Sequence, residues 1–204
     1  MGRYKGPLCK ICRRNGVKLY LKGDRCHTAK CAIEKRNFPP GPRFGMMRKL
    51  SEYGRRLREK QKLRFFYGVN ELKMQQLYRK ASKKKGITGN NLLISLETRL
   101  DNLIYRAGLA DSRREARQLV KHNHFLLNGK KVNVPSLLAE KDDEIVIKND
   151  TLIEKSKKNI EKIEWPEWLS YDAKKKVIKI LQLPKREDID VPVEEQLIVE
   201  YYSQ

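Results

Sequence analysis

Arg99-Leu100-Asp101-Asn102-Leu103, then Ser112-Arg113-Arg114-Glu115-Ala116-Arg117-Gln118-Leu119-Val120-Lys121, then Phe125-Leu126-Leu127-Asn128-Gly129-Lys130-Lys131-Val132 set the architecture. Leu92, Leu93, Leu96, Leu100, Leu103 and Ile104 recur on one side of a helix that Asn91 would start and Gly108 would stop. Ser112 with Glu115 three residues on is a capping box, so a second helix opens there. It would bury Ala116, Leu119 and Val120. Arg113, Arg117 and Lys121 lie four apart and share one face, with Arg114 and Gln118 beside them. Asn128-Gly129 between two strand-like runs predicts a tight hairpin with lysines near its tip. Asp142-Asp143 marks a turn before the strand Glu144-Ile145-Val146-Ile147. The fold class is therefore α+β: a helix pair with a basic face, packed on a small sheet.

Working towards the N-terminus, Ser51 would cap a helix running to about Tyr67, and Asn70 a second one. Leu50, Tyr53 and Leu57 form a narrow apolar stripe on the first, and Arg55, Arg56, Arg58, Lys60, Lys62 and Arg64 crowd the rest. Leu72, Leu77 and Tyr78 would face inward on the second, which ends in Lys83-Lys84-Lys85 and is broken by Gly86 and Gly89. Tyr67 and Tyr78 could stack on bases, although each taken singly suits a core position better than a base platform. Phe38-Pro39-Pro40-Gly41-Pro42 is a stiff linker.

Before that linker stand Cys9-x2-Cys12 and Cys26-x4-Cys31, the only cysteines of the chain. Two close pairs separated by a short spacer match a structural zinc site, in which four thiolates take tetrahedral corners. Lys10, Arg13, Arg14, Arg25 and Lys30 would favour thiolate formation. Large apolar groups are few here, so a metal would replace a core. Two disulfides or four reduced thiols are the alternatives; the start of the chain does not read as an export signal, which speaks against disulfides. His27 could compete as a ligand.

The charge narrows the class of partner. Of 204 residues, 46 are Lys or Arg and 25 are Asp or Glu, a formal net charge of +21. Residues 1–67 carry +16, residues 68–131 carry +9 and residues 132–204 carry −4. A field of this sign steers polyanions and releases their counterions, and it belongs to the first two thirds of the chain. At 39% hydrophobic residues the chain can build a core, and nothing in it reads as a membrane span.

The quoted helix-pair and hairpin residues closely resemble the RNA-binding module named after the small-subunit ribosomal protein S-four. Arg3-Tyr4-x2-Pro7, Pro39-Pro40-Gly41, Leu50-Ser51-x-Tyr53-Gly54, Leu57 to Lys62, Pro166-x-Trp168-Leu169 and Glu195 to Glu200 resemble the S-four family itself, in order along essentially the whole chain. The four cysteines look like its zinc-bearing bacterial version. Where the family commonly has a Gln-His-Gly element, this chain has Pro42-Arg43-Phe44-Gly45-Met46-Met47.

The resemblance implies an N-terminal zinc-binding segment and linker (1–45), a basic helical domain (46–95) joined by a C-terminal return (188–204), and the α+β RNA-binding domain (96–187). It implies a cytoplasmic constituent of the small ribosomal subunit, not an enzyme, with no small-molecule substrate and no membrane. Such proteins bind the five-prime domain of the subunit's rRNA early in assembly, border the channel by which mRNA enters, touch the S-five protein and influence accuracy. By position, RNA contact would fall to Arg3, Tyr4, Arg13, Arg14, Arg55, Arg56, Arg58, Lys60, Lys62, Arg64, Arg99, Arg106, Arg113, Arg114, Arg117, Lys121, His122, Lys130 and Lys131. For Arg99 and Arg106 the alternative is an internal ion pair with Asp101 or Asp111; His122 and His124 could simply pack at the helix end. Arg43, Arg48 and Lys49 would lie nearest the messenger. Leu197, Ile198 and Tyr201 would be the buried face of the last helix.

In the acidic last third, Trp165 and Trp168 read as core, and Asp188 and Asp190 as surface charge, because no nucleophile or cofactor loop accompanies them. An RNA-modifying enzyme with the same module would need a catalytic domain for which no segment remains. An RNA-binding accessory protein or a zinc-dependent nucleic-acid-binding regulator outside the ribosome is the other reading.

Overall fold

Turn and cap residues punctuate the chain into nine helices and five strands among the described residues. The computed structural model describes residues 4–41, 50–162 and 165–203. In order come α1 (Leu8–Asn15), a 3-10 turn (Gly23–His27), α2 (Ala32–Lys35), α3 (Glu52–Phe66), α4 (Glu71–Ser82), α5 (Thr88–Glu97), α6 (Leu100–Arg106) and α7 (Arg113–Lys121). Then follow β1 (Phe125–Leu127), β2 (Lys130–Lys131), β3 (Glu144–Ile147), α8 (Asp150–Lys162), β4 (Leu169–Asp172), β5 (Val177–Ile180) and α9 (Glu195–Tyr202). Two units divide the chain: Met1–Leu92 with Asp190–Gln204, and Leu93–Ile189.

In the second unit, Gly108 sits at φ 73° and the Leu109 N–H reaches back to Ile104 O at 3.2 Å, which ends α6 in a left-handed stop. Ser112 Oγ accepts the Glu115 N–H at 3.3 Å, while the Glu115 carboxylate accepts the Asp111 N–H at 2.9 Å, so side chains close the start of α7 from both directions. The helices pack on an antiparallel sheet of order β2-β1-β3-β5-β4. Asn128 (φ 49°) and Gly129 (φ 77°) make the β1–β2 turn, where both central residues need positive φ. Asn128 also ties the hairpin to β3, donating to Asp143 at 2.7 Å and accepting the Glu144 N–H at 2.9 Å. Leu100, Leu103, Ile104, Ala116, Val120, Phe125, Ile145, Ile178, Ile180 and Trp168 form one buried core. Each large aliphatic or aromatic side chain there contributes about 1.5–3 kcal/mol of transfer free energy.

The helix expected from Asn91 to Gly108 is two helices. Arg99 breaks it in an extended conformation, φ −67° and ψ 138°. The segment from Pro135 to Ala139 supplies what a continuous helix would have supplied: Leu100 N–H bonds Leu137 O at 2.9 Å, Asp101 N–H bonds Pro135 O at 3.1 Å, and Ala139 N–H bonds Thr98 O at 2.9 Å. Asn91 does not start a helix either. It lies inside α5 and its amide donates to Ala81, Lys84 and Lys85 carbonyls, closing the end of α4. Strands β4 and β5 and helix α8 had no counterpart in the sequence reading, although Val177-Ile178-Lys179-Ile180 carries a strand's composition.

In the first unit, Ser51 accepts the Gly54 N–H at 3.1 Å and Asn70 the Lys73 N–H at 2.9 Å, opening α3 and α4 as their caps require. The buried face of α4 is Met74, Leu77 and Ala81; Leu72, expected inside, is 67% exposed. Leu50 and Tyr53 are exposed too, and α3 buries Leu63 and Phe66 instead. Helix α9 lies against α3 and buries Ile198. Gly89 does not break a helix; it sits within α5, where a Cβ would come 3.0 Å from Glu195. A ring contact and an ion pair lock α9, Tyr53 meeting Tyr201 at 5.8 Å and Arg56 bonding Glu200 at 2.9 Å, and Lys62 holds the segment before it by donating to Pro192 O at 3.0 Å.

Glu71 gathers the helices of this unit, accepting from Lys60 at 2.8 Å, Arg64 at 3.5 Å and the Tyr202 hydroxyl at 2.9 Å. Burial works against its charge, but the hydrogen bonds from Lys60 and Tyr202 and both cations outweigh it and hold the carboxyl below the usual glutamate range. Burial, and then the same carboxylate, push the Tyr202 hydroxyl far up. A depressed carboxyl contributes stability above its unfolded-state pKa and loses it as pH falls through the folded value. Glu71→Gln should therefore cost about 1–2 kcal/mol near neutrality. In urea melts across pH, that cost should vanish as acid protonates the wild-type carboxylate; a cost unchanged at low pH would refute the ionic role.

Candidate nucleic-acid interface and cysteine cluster

In the second unit, two buried carboxylates organise the arginines of the helix pair. Asp101 takes a bidentate pair from Arg99, Nε at 3.0 Å and Nη2 at 2.7 Å, and a further bond from Arg117 Nη1 at 3.1 Å. Glu97 takes a bidentate pair from Arg106, both at 3.0 Å, and accepts from Asn102 at 2.6 Å. Asn102 in turn accepts from Arg113 Nε at 2.7 Å, and the Arg113 guanidinium lies 4.4 Å from the Tyr105 ring centre. Three guanidinium groups thus bond directly to two carboxylates, and a fourth, Arg113, is joined to them through Asn102.

This arrangement corrects the sequence reading at several positions. Arg99, read as an RNA contact, is 1% exposed and has no surface to offer a phosphate; the internal pair with Asp101 holds. Arg106 pairs with Glu97, not with Asp111, whose side chain accepts from Asn159 at 2.8 Å. Arg113 is buried at the base of the row, Arg117 is half-buried above it, and Lys121 and His122 are exposed. Arg114 lies half-buried beside them, and Lys130 and Lys131 are exposed on the hairpin. The helix-row face therefore rises from a fixed, neutralised base to an open cationic end. Glu97 and Asn102 were missed as functional residues; their signal was polar side chains set among leucines that bury completely.

The cations of the first unit divide in the same way. Lys60 is 3% exposed and bound to Glu71, and buried Lys62 bonds Glu59 at 2.6 Å. Their placement on a solvated basic face is corrected by these partners. Arg64 stacks over Phe65 at 4.6 Å beside Glu71, and Arg56 is held by Glu200. Arg13 donates to Phe38 O at 2.9 Å and lies over the Phe38 ring. Arg14 and Arg55 are exposed, Arg58 is half-buried, and Tyr4 is 44% exposed with its edge on Phe65. The core alternative holds for Tyr67, which is buried, while Tyr78 shares a hydrogen bond with Ser203 at 3.1 Å. Arg3, Arg43, Arg48 and Lys49 lie outside the described residues.

Cys9 and Cys12 share one face of α1, Cys26 lies in the 3-10 turn and Cys31 caps α2. All four are free, and all four line one small cavity of about 20 Å³. Among the described residues no three His, Cys, Asp or Glu side chains close to ligating geometry. The expectation that nearby basic residues would favour thiolates is corrected: burial first, then the neighbouring sulfurs, push Cys12 and Cys26 up. Backbone hydrogen bonds at Leu19 for Cys12, and at Lys22 and Leu21 for Cys26, act the other way. Four free sulfurs around one small cavity, with backbone hydrogen bonds to Cys12 and Cys26, are the donor set that a thiophilic divalent cation would use if they closed on it. Tyr20 stacks on His27 at 4.9 Å, and His27 is not among the cavity's lining residues.

The carboxylate network is testable on its own. Asp101→Ala leaves the Arg99 guanidinium buried without its counter-ion and should lower the stability of this unit by about 3–5 kcal/mol. Adding Arg99→Met should recover most of that loss in chemical denaturation; a double variant as unstable as the single one would refute the charge argument.

Comparison with known proteins agrees with this geometry. A family profile described as "Ribosomal protein S4/S9 N-terminal domain" matches residues 3–97, and one described as "S4 domain" matches residues 98–145. The chain is 51% identical to the small ribosomal subunit protein uS4 of Halothermothrix orenii and 52% identical to that of Acetivibrio thermocellus, each over 100% of both chains. It is also 52% identical to the uS4A protein of Alkaliphilus metalliredigens over 100% of both. With the paired helices, the hairpin and both profile matches in one chain, and with relatives of this identity along its full length, the chain belongs to the S4 family of small-ribosomal-subunit proteins.

Proposed function

We propose that this chain is a structural constituent of the small ribosomal subunit that binds the subunit's rRNA and catalyses no reaction. The observation that carries the reading is the helix row of the S4 domain. Arg113 and Arg117 are held by Asn102 and Asp101, and exposed Lys121, Lys130 and Lys131 continue the charge towards solvent. A-form RNA hides its major groove, so a rigid row of cations at helical pitch reads phosphate geometry, not base sequence. Arg117, half-buried and bonded to Asp101 by Nη1, keeps surface for phosphate oxygens.

The finer assignments follow from the family. The five-prime domain of the rRNA is the binding site, met early in assembly. Arg43, Arg48 and Lys49 lie towards the channel by which mRNA enters, and the S-five protein is the neighbour at an interface that influences accuracy. The acidic last third offers that class of basic neighbour a surface of opposite sign.

Zinc is the resident metal of this reading, held by Cys9, Cys12, Cys26 and Cys31. Those four thiolates would hold it, and it would supply a crosslink where large apolar groups are scarce.

Three measurements test the proposal. The protein should co-sediment with small ribosomal subunits through a high-salt wash; its recovery away from ribosomes would favour an accessory or regulatory role. Arg117→Glu should weaken binding to small-subunit rRNA at least tenfold and flatten the slope of log K against log salt by about one unit. Wild-type affinity and slope in that variant would remove the helix row from the interface. Metal analysis of the purified chain should find one zinc, and a chelator should lower the melting temperature while exposing four titratable thiols. Four reactive thiols with no metal bound would end the zinc assignment.

A further inference from the structure

Tyr4, helix α1 and helix α3 enclose an open cleft of about 580 Å³, where Tyr4, Arg14 and Arg58, named above only as RNA contacts by position, come together. Tyr4, Leu57 and Phe65 give it apolar walls, and Lys10, Arg14 and Arg58 bring three cations to it, with no carboxylate among the lining residues. The size lies within the range of small-ligand sites. An isolated inorganic anion would need no apolar wall, and an apolar peptide would need no cations. A nucleotide needs both, one for the base and one for its phosphates. Tyr4 is already in place for this. Its ring folds over Gly6, where a Cβ would come within 2.5 Å of the Tyr4 hydroxyl, and its edge meets Phe65 at 5.5 Å. A stacking ring fixed before binding loses little entropy when a base arrives. Gln61, on the same wall, has a side-chain oxygen buried without a hydrogen-bond partner. Turning that amide towards the cleft gives the oxygen a donor in the amino group of an adenine.

We propose that this cleft takes one unpaired nucleotide of the bound RNA, with the base between Tyr4 and Leu57 and its phosphates against Lys10, Arg14 and Arg58. The proposal rests on the RNA-binding reading and adds to it a subsite that discriminates an unpaired nucleotide from continuous duplex.

The test uses the full-length protein with two probes: a riboheptamer that is abasic except for one central adenine, and the same heptamer with that base removed as well. Removing the base should weaken binding to the wild type about tenfold, the scale of one base–aromatic stack. Gly54→Phe, which places a ring in the cleft from α3, and Tyr4→Ala should each bind the two heptamers alike. Their salt slopes should equal that of the wild type. Tyr4→Ala changes an exposed side chain and carries the test if Gly54→Phe does not fold by circular dichroism. Equal binding of both heptamers by the wild type would mean phosphate contact only and would overturn the proposal. So would a base effect that survives in both variants, or an acidic tyrosine-containing peptide that displaces the heptamer at lower concentration than free heptamer does. If the wild type binds small-subunit rRNA but neither heptamer, the cleft is wrong and the RNA-binding reading stands; if it binds none of the three, that reading itself fails.

Discussion

The bidentate pairs of Asp101 with Arg99 and of Glu97 with Arg106 are the constraint on which the RNA-facing unit depends. Ionised groups buried to this degree are costly unless paired and hydrogen-bonded. Their geometry meets that condition and fixes much else. Asp101 can reach Arg99 only because α5 ends before it and α6 starts after it. Asn102 couples the second carboxylate to Arg113, and Asp101 itself reaches Arg117, so the first two members of the helix row are oriented from beneath. Long side chains normally lose rotamer entropy when they meet a phosphate. Here that loss is incurred on folding, and the stability of the unit and the readiness of its cationic face have one origin.

The first unit follows the same rule with different partners. Helix α3 reads as a dense cationic rod, yet Lys60, Lys62, Arg64 and Arg56 are committed to Glu71, Glu59 and Glu200. Arg58 on α3 and Lys10 and Arg14 on α1 are exposed or half-exposed, and Arg55 is exposed beside Glu52, a smaller set than the sequence offers. Cations crowded on one helix repel one another, and carboxylates brought by α4 and α9 relieve that repulsion where the chain is most buried. Net charge therefore overstates the number of groups free to meet a polyanion.

The cysteine segment solves a different problem. Between Leu8 and Lys35 only a few apolar side chains, such as Ile11, Leu19 and Leu21, are buried, too few to hold two short helices and a 3-10 turn by hydrophobic burial alone. Its four sulfurs meet at one cavity because a helix, a turn and a helix cap each present them there.

What the sequence determined alone is local. The caps at Ser51, Asn70 and Ser112, the stop at Gly108, the Asn128-Gly129 hairpin and the α+β class were all legible, because each depends on residues within about four positions. The grouping of the cysteines in two close pairs was legible for the same reason. Tertiary structure decided the rest. The break at Arg99 depends on carbonyls of Pro135 and Leu137, more than thirty residues away, and the burial of Lys62 on a carbonyl at Pro192. Asn91, a good helix cap by type, became the closing side chain of the preceding helix because the carbonyls of Ala81, Lys84 and Lys85 come within its reach. A cation's type and spacing place it on a helix face; whether that face meets a carboxylate or solvent depends on which distant segment folds against it.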